Sequence, residues 1–433
     1  MTDATDTFDP RAELREAAAL SARFDIPALG EVCDFPRKGN INRRTYLVTV
    51  GASPSPDAPG RPAAYLLQQL NPSVFRRPQA VMEAMVACVA AQEAALRELS
   101  DADRRRWGGG WELLRLVPTR EGKPFLEVPA EEGGGGGATC WRMVNYIPAT
   151  RAYRSLGEVA DPSARLRVAQ EAGRGLGIFH RLTERMPADA AVPLPGYRDT
   201  AGYYGQLEAV LQGCRTEEDA AAFLPGDATL RVACAPLYRV HLPPEEHRRR
   251  RGCGEVRRLA RLALGQKSYA CSLNRALASG ELATTFVHGD PKLENFLFDD
   301  VTGRVKALVD LDTVMPHSWL SDWGDMVRSL TNAAGEREPD PALVRFDDEA
   351  FRALRRGYLA TAEPEGGEAA WMADAPPIMA LELGVRFLAD YLRGDTYFAP
   401  EPDAPPDLNL VRARVQFQMF ENLRRHVAIP PRR

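Results

Sequence analysis

The chain has 433 residues, 45% hydrophobic and 26% charged, with a formal net charge of only −4, a composition that suits one bilobal or two globular domains and gives no positive field to attract nucleic acid. The sequence shows no basic segment followed by an apolar one, and no apolar window of about 18 residues. We therefore predict neither a leader nor a membrane span, and we expect no membrane partner. Seven dispersed cysteines without Cys-x-x-Cys spacing favour reduced thiols, and we expect a cytoplasmic protein whose partners are small molecules.

The first third of the chain predicts an antiparallel sheet of short strands. Apolar segments broken by turn residues place these strands at 30–35, 44–50 and 63–70, near Phe125, and at 139–146. The Gly- and Pro-rich segment 51–62 and the Gly-rich segment 131–137 are expected to be loops. Between the third and fourth strands, apolar residues at helical spacing behind Pro78 predict a helix over 78–99, inserted into the sheet.

After Pro148 the pattern changes to long helices. The clearest covers 163–182, with His180 on its apolar face, where a lone histidine is usually a hydrogen-bonded core residue. We interpret His180 as structural, and the basic run 241–252 as a solvated surface without a nucleic-acid role. The predicted fold is α+β and bilobal, and its parts are an N-terminal extension (1–30), a small N-lobe (31–143) and a larger, mostly helical C-lobe (144–433).

The strongest local signal is the segment 287–299, VHGDPKLENFLFD, which is followed by an apolar strand at 305–309 and then by Asp310. Phosphoryl transfer needs little covalent help from a protein, mainly a group that orients the attacking hydroxyl and oxygen ligands that hold Mg²⁺ on the phosphates. Asp290 would accept the hydroxyl proton, and Asn295 and Asp310 would bind the metal. The order and spacing of these groups favour a kinase over a hairpin that carries them by chance.

Three neighbouring residues have supporting roles in this hypothesis. His288 is expected to brace the loop by hydrogen bonding rather than to perform acid–base chemistry. Lys292 could meet the γ-phosphate as a point charge during transfer. Asp312 could bind a second Mg²⁺ ion or accept hydrogen bonds from the loop.

The segment from His288 to Asn295, together with Asp310, resembles the catalytic loop and metal aspartate of aminoglycoside phosphotransferases, choline kinases and protein kinases. Matches between Gly39 and Phe398 resemble N-acetylhexosamine 1-kinases more particularly, at 39–42, 45–48, 65–68, 70–71, 74–75, 81–83, 309–316, 322–325 and 386–398. The resemblance implies a protein-kinase-like fold. It also implies Mg²⁺-dependent transfer of the γ-phosphoryl group of ATP to the anomeric hydroxyl of an N-acetylhexosamine.

For the nucleotide, the resemblance implies sites that depart from the usual motifs. The chain has no G-x-G-x-x-G or Walker A loop, so a hairpin carrying Gly39, Asn40 and Asn42 would cover the phosphates. Adenine would lie against the lobe connection, beside Val144 and Tyr146, by analogy with the fold.

The third strand also lacks the phosphate-binding lysine of kinases, and has Gln68 and Gln69 instead. Gln68 could bind phosphate oxygens and pair with Glu83 on the inserted helix. The positive charge would then come from Mg²⁺ and Lys292, with Lys38 or Arg43 as a further source.

For the acceptor, the resemblance implies a site formed by Asp290, Asp310, Arg386, Tyr397 and Phe398. A turn between Arg386 and Tyr397 could bring a helix and two aromatic rings to one pocket, where polar groups bind hydroxyls and an aromatic wall covers a ring face.

Three alternatives remain open. Arg386 could instead pair with Asp390 or Asp395 at a helix end while the two aromatic residues fill the core. The acceptor could be an aminoglycoside, a choline-like amino alcohol or another small hydroxyl compound, and a polyamine acceptor would favour an anionic pocket. The missing lysine would also suit a nucleotide-binding scaffold without turnover.

Overall fold

An antiparallel sheet forms the N-lobe of the computed structural model, which describes residues 10–35, 42–51, 63–72, 74–107, 109–129, 138–187, 190–364 and 366–427. Its strands are β1 (Leu29–Asp34), β2 (Asn42–Val50), β3 (Ala64–Leu70), β4 (Leu116–Val117), β5 (Leu126–Val128) and β6 (Thr139–Asn145). They are arranged in the order β1-β2-β3-β6-β4, with β5 also paired to β6. The predicted antiparallel sheet is confirmed. Strand β4 was not predicted, because a strand of two residues is too short to show a sequence pattern.

Helices α1 (Pro10–Ser21) and α2 (Pro78–Glu98) cover the two faces of this sheet, and α3 (Asp101–Trp107) follows α2. Because side chains alternate along a strand, Tyr65 and Leu67 pack on one face with Leu20 and Phe24 of the N-terminal segment. The opposite face meets α2, the predicted inserted helix, which starts at Pro78, where the missing N–H costs no intrahelical bond.

The C-lobe is mostly helical, as predicted. Its helices are α4 (Pro162–Thr183), α5 (Thr200–Gln212), α6 (Ala228–Cys234), α7 (Pro244–Gly252), α8 (Gly254–Gly265), α9 (Lys267–Ala270), α10 (Ser272–Ala278), α11 (Trp319–Leu330), α12 (Asp348–Thr361), α13 (Glu368–Trp371), α14 (Ala375–Arg393) and α15 (Leu408–His426). The main core lies where α4 packs on α12 and where α14 packs on α11 and α15. An added Cβ at Gly173 of α4 would lie 2.1 Å from the carbonyl oxygen of Leu354, so only glycine permits this close approach.

Two small sheets in the C-lobe hold the segment with the catalytic motif. Their strands are β7 (Thr150–Arg151), β8 (Thr285–Val287), β9 (Phe296–Asp299), β10 (Val305–Leu308) and β11 (Met315–His317). The sheets are β10-β9-β7 and β11-β8, so the catalytic loop 288–295 connects one sheet to the other. Within the described ranges, no helix has the length and apolar character needed to cross a membrane.

Candidate active site

The catalytic loop is attached to the C-lobe core through the buried carboxylate of Asp322 on α11. Asp322 Oδ2 accepts from the backbone N–H of His288 (2.6 Å) and Oδ1 accepts from that of Gly289 (2.9 Å). His180 Nε2 lies 3.0 Å from Oδ2, and its Nδ1 lies 2.9 Å from the hydroxyl of Tyr358. Burial alone would raise the pKa of Asp322, but the His180 hydrogen bond and the neighbouring donors hold it below its usual value. His180 is a hydrogen-bonded core residue, as predicted.

Both ring nitrogens of His288 are engaged in holding the loop. Nδ1 accepts from the backbone N–H of Asp290 (3.3 Å), so Nε2 carries the proton and donates to the carbonyl of Val309 (2.9 Å). Burial lowers the pKa of His288, which favours this neutral form. These contacts support the bracing role, because neither nitrogen remains available for proton transfer.

Gly289 occupies a position that other residues would strain. Its φ is +85°, and an added Cβ would lie 2.5 Å from the carbonyl oxygen of Thr313. Its own carbonyl accepts from the Tyr197 hydroxyl (2.9 Å) and from Nη2 of Arg198 (2.7 Å). The backbone of Gly289, directly before Asp290, is therefore held at both its N–H group and its carbonyl oxygen.

Asp290 and Lys292 form a half-buried ion pair at the loop. Lys292 Nζ lies 3.0 Å from Oδ2 of Asp290 and 3.0 Å from Oε1 of Glu294. Burial would lower the pKa of Lys292, but the two carboxylates outweigh it and raise that pKa, so the ammonium stays charged. Lys292 thus orients the carboxylate of Asp290, in addition to the phosphate role predicted for it.

Asn295 and Asp310 each present a buried oxygen that could bind a cation. Asn295 Nδ2 donates to the carbonyl of Asp290 (2.9 Å), which leaves its amide oxygen turned elsewhere. The atoms Asn295 Oδ1 and Asp310 Oδ1 are buried without a hydrogen-bond partner among the described residues. Asp310 has a left-handed φ of +70°, and burial together with the charges of Asp312 and Asp290 raises its pKa to about 7.

These two orphaned oxygens fit a hard divalent cation such as Mg²⁺, which takes oxygen ligands and is held by few protein groups when phosphates supply others. The described parts of the chain contain no group of three or more His, Cys, Asp or Glu side chains that could hold a metal. A metal at Asn295 and Asp310 would therefore depend on the nucleotide's phosphate oxygens to complete its shell.

Asp312 lies two residues further on and is fully occupied by an arginine. Both of its oxygens accept from the guanidinium of Arg142, with Nη2 to Oδ2 at 2.9 Å and Nη1 bound to Oδ1. Arg142 Nε also donates to Gln68 Oε1 (3.0 Å). Of the two predicted roles of Asp312, this arrangement favours accepting hydrogen bonds over binding a second Mg²⁺, although the donor is an N-lobe arginine rather than the loop.

The predicted pair between Gln68 and Glu83 is wrong. Gln68 contacts Arg142 on the neighbouring strand β6, and Glu83 lies on the exposed side of α2. Gln69 alternates to the other face of the sheet, where its Oε1 accepts from Arg44 (3.0 Å). The buried cation near the third strand is thus an arginine on β6.

The residues predicted for the rest of the nucleotide site are placed only in part. Gly39 and Asn40 lie outside the described residues, as does Lys38, and Asn42 begins β2 opposite Leu70. Val144 is buried on β6 between β3 and β4. Tyr146 follows β6 where the chain leaves the sheet, and its backbone N–H donates to the carbonyl of Ala64 (3.0 Å), so this N–H is not free to bind a base. The adenine site stays a prediction.

The structure brings Arg386, Tyr397 and Phe398 together beside the catalytic loop. The guanidinium carbon of Arg386 on α14 lies 5.5 Å from the ring centre of Tyr397 and 5.2 Å from that of Phe398. It also lies 4.8 Å from the ring of Tyr203 and 5.2 Å from that of Tyr197, whose hydroxyl binds Gly289. The Arg386 side chain is therefore enclosed by four aromatic rings, one of which contacts the loop that carries Asp290.

Arg386 does not form the carboxylate pairs that were its structural alternative. Asp390 accepts from Arg393 (2.7 Å) and Asp395 accepts from Arg250 (2.6 Å). Arg386 Nη2 instead lies 3.3 Å from the hydroxyl of Tyr397. Asp390 also accepts from the backbone N–H groups of Tyr397 (3.0 Å) and of the following residue (2.7 Å), which fixes the turn that returns the aromatic pair to α14.

Sequence reasoning missed Arg142, Tyr197, Arg198 and Tyr203. Arg198 is buried, with Nη2 2.7 Å from Asp325 and Nη1 3.1 Å from Glu382. Burial would raise the pKa of Asp325, but the neighbouring cations Arg328 and Arg198 hold it below its usual value. A positive φ of +62° at Arg198 marks a constrained turn, but no sequence pattern around 197–203 signals these contacts.

The chain belongs to the phosphotransferase enzyme family, whose model matches residues 38–364. Its fold is similar to that of an amicoumacin kinase in complex with AMP-PNP, Ca²⁺ and Ami, with 14% identity, a TM-score of 0.53, and coverage of 96% of this chain and 94% of the other. It is also similar to a microcompartment-associated aminopropanol kinase, with 15% identity, a TM-score of 0.52, and coverage of 96% and 97%.

At these identities the structural likeness concerns the fold, and it confirms the predicted bilobal, kinase-like α+β architecture. Membership of the family confirms that the chain is a phosphotransferase that acts on a hydroxyl acceptor.

Proposed function

We propose that this enzyme transfers the γ-phosphoryl group of ATP to the anomeric hydroxyl of an N-acetylhexosamine and forms the 1-phosphate. The observation that carries the kinase chemistry is that the loop holds the Asp290 carboxylate beside Lys292, while Asn295, which donates to the Asp290 carbonyl, and Asp310 each keep a buried oxygen without a hydrogen-bond partner among the described residues. The presence of these groups together favours turnover over a nucleotide-binding scaffold, because a scaffold has no need of a positioned base.

Each residue of the proposed site has a separate role in the reaction. Asp290 accepts the proton of the acceptor hydroxyl as it attacks, and the loop contacts of His288 and Gly289 keep the carboxylate in place. Lys292, charged and 3.0 Å from Asp290, is available to the transferred phosphoryl group. Asn295 and Asp310 would hold Mg²⁺, which supplies charge neutralisation and orientation of the phosphates when bound.

The charge of the acceptor pocket favours a neutral sugar over a polyamine. Its central charged side chain is the cation Arg386, and the nearby carboxylates Asp325 and Glu382 are already paired with Arg198. A site for several ammonium groups would need unpaired acidic side chains, because like charges repel in a partly buried pocket. Aromatic walls with one directional polar group suit a sugar ring and its N-acetyl group.

The test is an acceptor panel with ATP and Mg²⁺ that contains N-acetylglucosamine, N-acetylgalactosamine, free hexoses, choline and an aminoglycoside. We expect turnover with an N-acetylhexosamine and a product identified by ³¹P NMR as the 1-phosphate. Arg386→Ala and Tyr397→Ala should then lower kcat/KM for the sugar. Turnover confined to choline or the aminoglycoside would contradict the sugar proposal and leave the kinase chemistry intact.

A matched control is available for the arginine substitution. Arg424 of α15 stacks over the Tyr269 ring at 4.6 Å, and neither residue contacts the catalytic loop or the aromatic rings around Arg386. Arg424→Ala removes a similar arginine–aromatic contact, and it should leave kcat/KM unchanged. An equal loss in both variants would assign the effect of Arg386→Ala to general destabilisation.

A further inference from the structure

Arg142 is a buried charge that connects the two lobes next to the candidate metal site. Its side chain is 2% exposed and that of Asp312 is 0% exposed. On the N-lobe side, its Nε donates to Gln68 of β3, and Nη1 lies 3.5 Å from the sulfur of Met85 on α2. On the C-lobe side, both terminal nitrogens donate to Asp312. One guanidinium therefore joins the sheet, α2 and the turn that follows β10.

This turn also carries Asp310. The segment 311–313 is a single helical turn that begins directly after Asp310, and α2 packs against it. Asp310 itself has a left-handed backbone conformation, which is unfavourable for a residue with a side chain and persists only where the surroundings impose it. The bidentate pair between Arg142 and Asp312 fixes this turn from the opposite lobe.

We infer that Arg142 is a positioning residue: by holding Asp312, it sets the orientation of Asp310 and thereby the affinity of the enzyme for the metal–nucleotide complex. Arg142 provides the buried cation that β3 lacks, but it acts through the turn that carries Asp310 and Asp312. This inference rests on the proposed use of Mg²⁺ by Asn295 and Asp310. It assigns Asp312 to Arg142 instead of to the metal.

The energetics of buried ion pairs allow a test that separates positioning from folding. Removing one partner leaves an uncompensated buried charge and is strongly destabilising, whereas replacing both partners by apolar residues of similar volume is often neutral or stabilising. Arg142→Met and Asp312→Leu should each lower the unfolding midpoint, and the double variant should recover most of the loss. Arg142→Lys keeps the charge but cannot form the bidentate contact.

The informative readout is the Mg²⁺ dependence of AMP-PNP binding, measured by calorimetry on the full chain, together with thermal unfolding. In the stable double variant and in Arg142→Lys, we expect the Mg²⁺ concentration for half-maximal binding to rise roughly 10–100-fold, as when groups that orient metal ligands are lost. Arg414→Met is the control. It removes a two-nitrogen contact with Glu255 between α15 and α8, and it should change stability alone.

Each outcome decides between named possibilities. A double variant with recovered stability and wild-type Mg²⁺ dependence would overturn the inference and leave Arg142 a purely structural residue. Wild-type protein that binds AMP-PNP without any Mg²⁺ dependence would contradict the proposed metal site itself, and the role of Arg142 with it. An altered Mg²⁺ dependence in Arg414→Met as large as in the double variant would also overturn the inference.

Discussion

The catalytic loop and the side of the N-lobe sheet that meets α2 hold their charged groups by opposite means. In the loop, the backbone is tied down by buried partners and the functional carboxylate of Asp290 stays half-exposed. In the sheet, the charged group itself is buried: Arg142 is paired with Gln68 and Asp312. A rigid backbone can thus present a reactive side chain, whereas a fully paired side chain is suited to hold another element in place.

The largest effect is expected when the reactive carboxylate of the catalytic loop is removed. We expect Asp290→Asn to lower kcat by roughly 10²- to 10⁴-fold, the usual cost of losing a positioned base. Nucleotide binding should be preserved, because the metal oxygens of Asn295 and Asp310 remain. Turnover and AMP-PNP affinity are to be measured on the same preparation. Full activity in this well-folded variant would eliminate the proposed role of Asp290.

The two proposed metal ligands differ in charge, so removing each of them should reduce Mg²⁺-supported transfer by a different factor. Asp310 supplies a carboxylate and Asn295 a neutral amide, so Asp310→Ala should reduce Mg²⁺-supported transfer more than Asn295→Ala, for which we expect roughly 10–100-fold. Initial rates across a Mg²⁺ titration measure both. Equal losses, or a larger loss for Asn295→Ala, would show that charge is not what Asp310 contributes.

The rigidity of the loop can be weakened without touching a functional side chain. Gly289→Ala places a Cβ 2.5 Å from the carbonyl oxygen of Thr313, whereas Gly303→Ala, at a similar positive φ of +68°, meets nothing within 4 Å. Both variants share the backbone strain, so the difference isolates the clash, which should cost about 1–3 kcal/mol. Chemical denaturation measures it. Equal free energies of unfolding for the two variants would show that the loop backbone shifts to accommodate the added Cβ and is not rigid.

The smallest expected effect concerns the wall of the acceptor pocket. Tyr397→Phe keeps the ring beside Arg386 and removes only the hydroxyl, which lies 3.3 Å from Nη2. Because one hydrogen bond contributes roughly 0.5–1.5 kcal/mol, KM for the acceptor should rise a few-fold while kcat and the unfolding midpoint stay constant. A fall in kcat with constant KM would place this hydroxyl nearer to the chemistry than the structure does.

Sequence patterns predicted what is local along the chain and missed what joins distant segments. Asp290, Asn295 and Asp310 could be proposed as site residues because a fixed loop and hairpin set their spacing, and the sheet and α2 could be predicted from their periodicities. Arg142 is 170 residues from Asp312, and Arg198 is 127 residues from Asp325. No periodicity connects such positions.

The error at Gln68 has the same cause. The prediction paired Gln68 with Glu83 of the inserted helix and took the positive charge from Mg²⁺, Lys292, Lys38 or Arg43, whereas the antiparallel register places Arg142 of the neighbouring strand directly beside Gln68. The register of β3 and β6 was the signal that could have identified it. The acceptor side is similar, since a turn predicted the approach of Tyr397 to Arg386, but Tyr197 and Tyr203 come from a separate segment.

The most direct test of the proposed metal site is an experimental structure of the full chain with AMP-PNP and Mg²⁺. We expect the metal to be bound by Oδ1 of Asn295 and by the carboxylate of Asp310, with Asp312 still paired to Arg142. A metal bound by Asp312, with Asp310 outside its ligand shell, would contradict both the assignment of the metal site and the role given to Arg142.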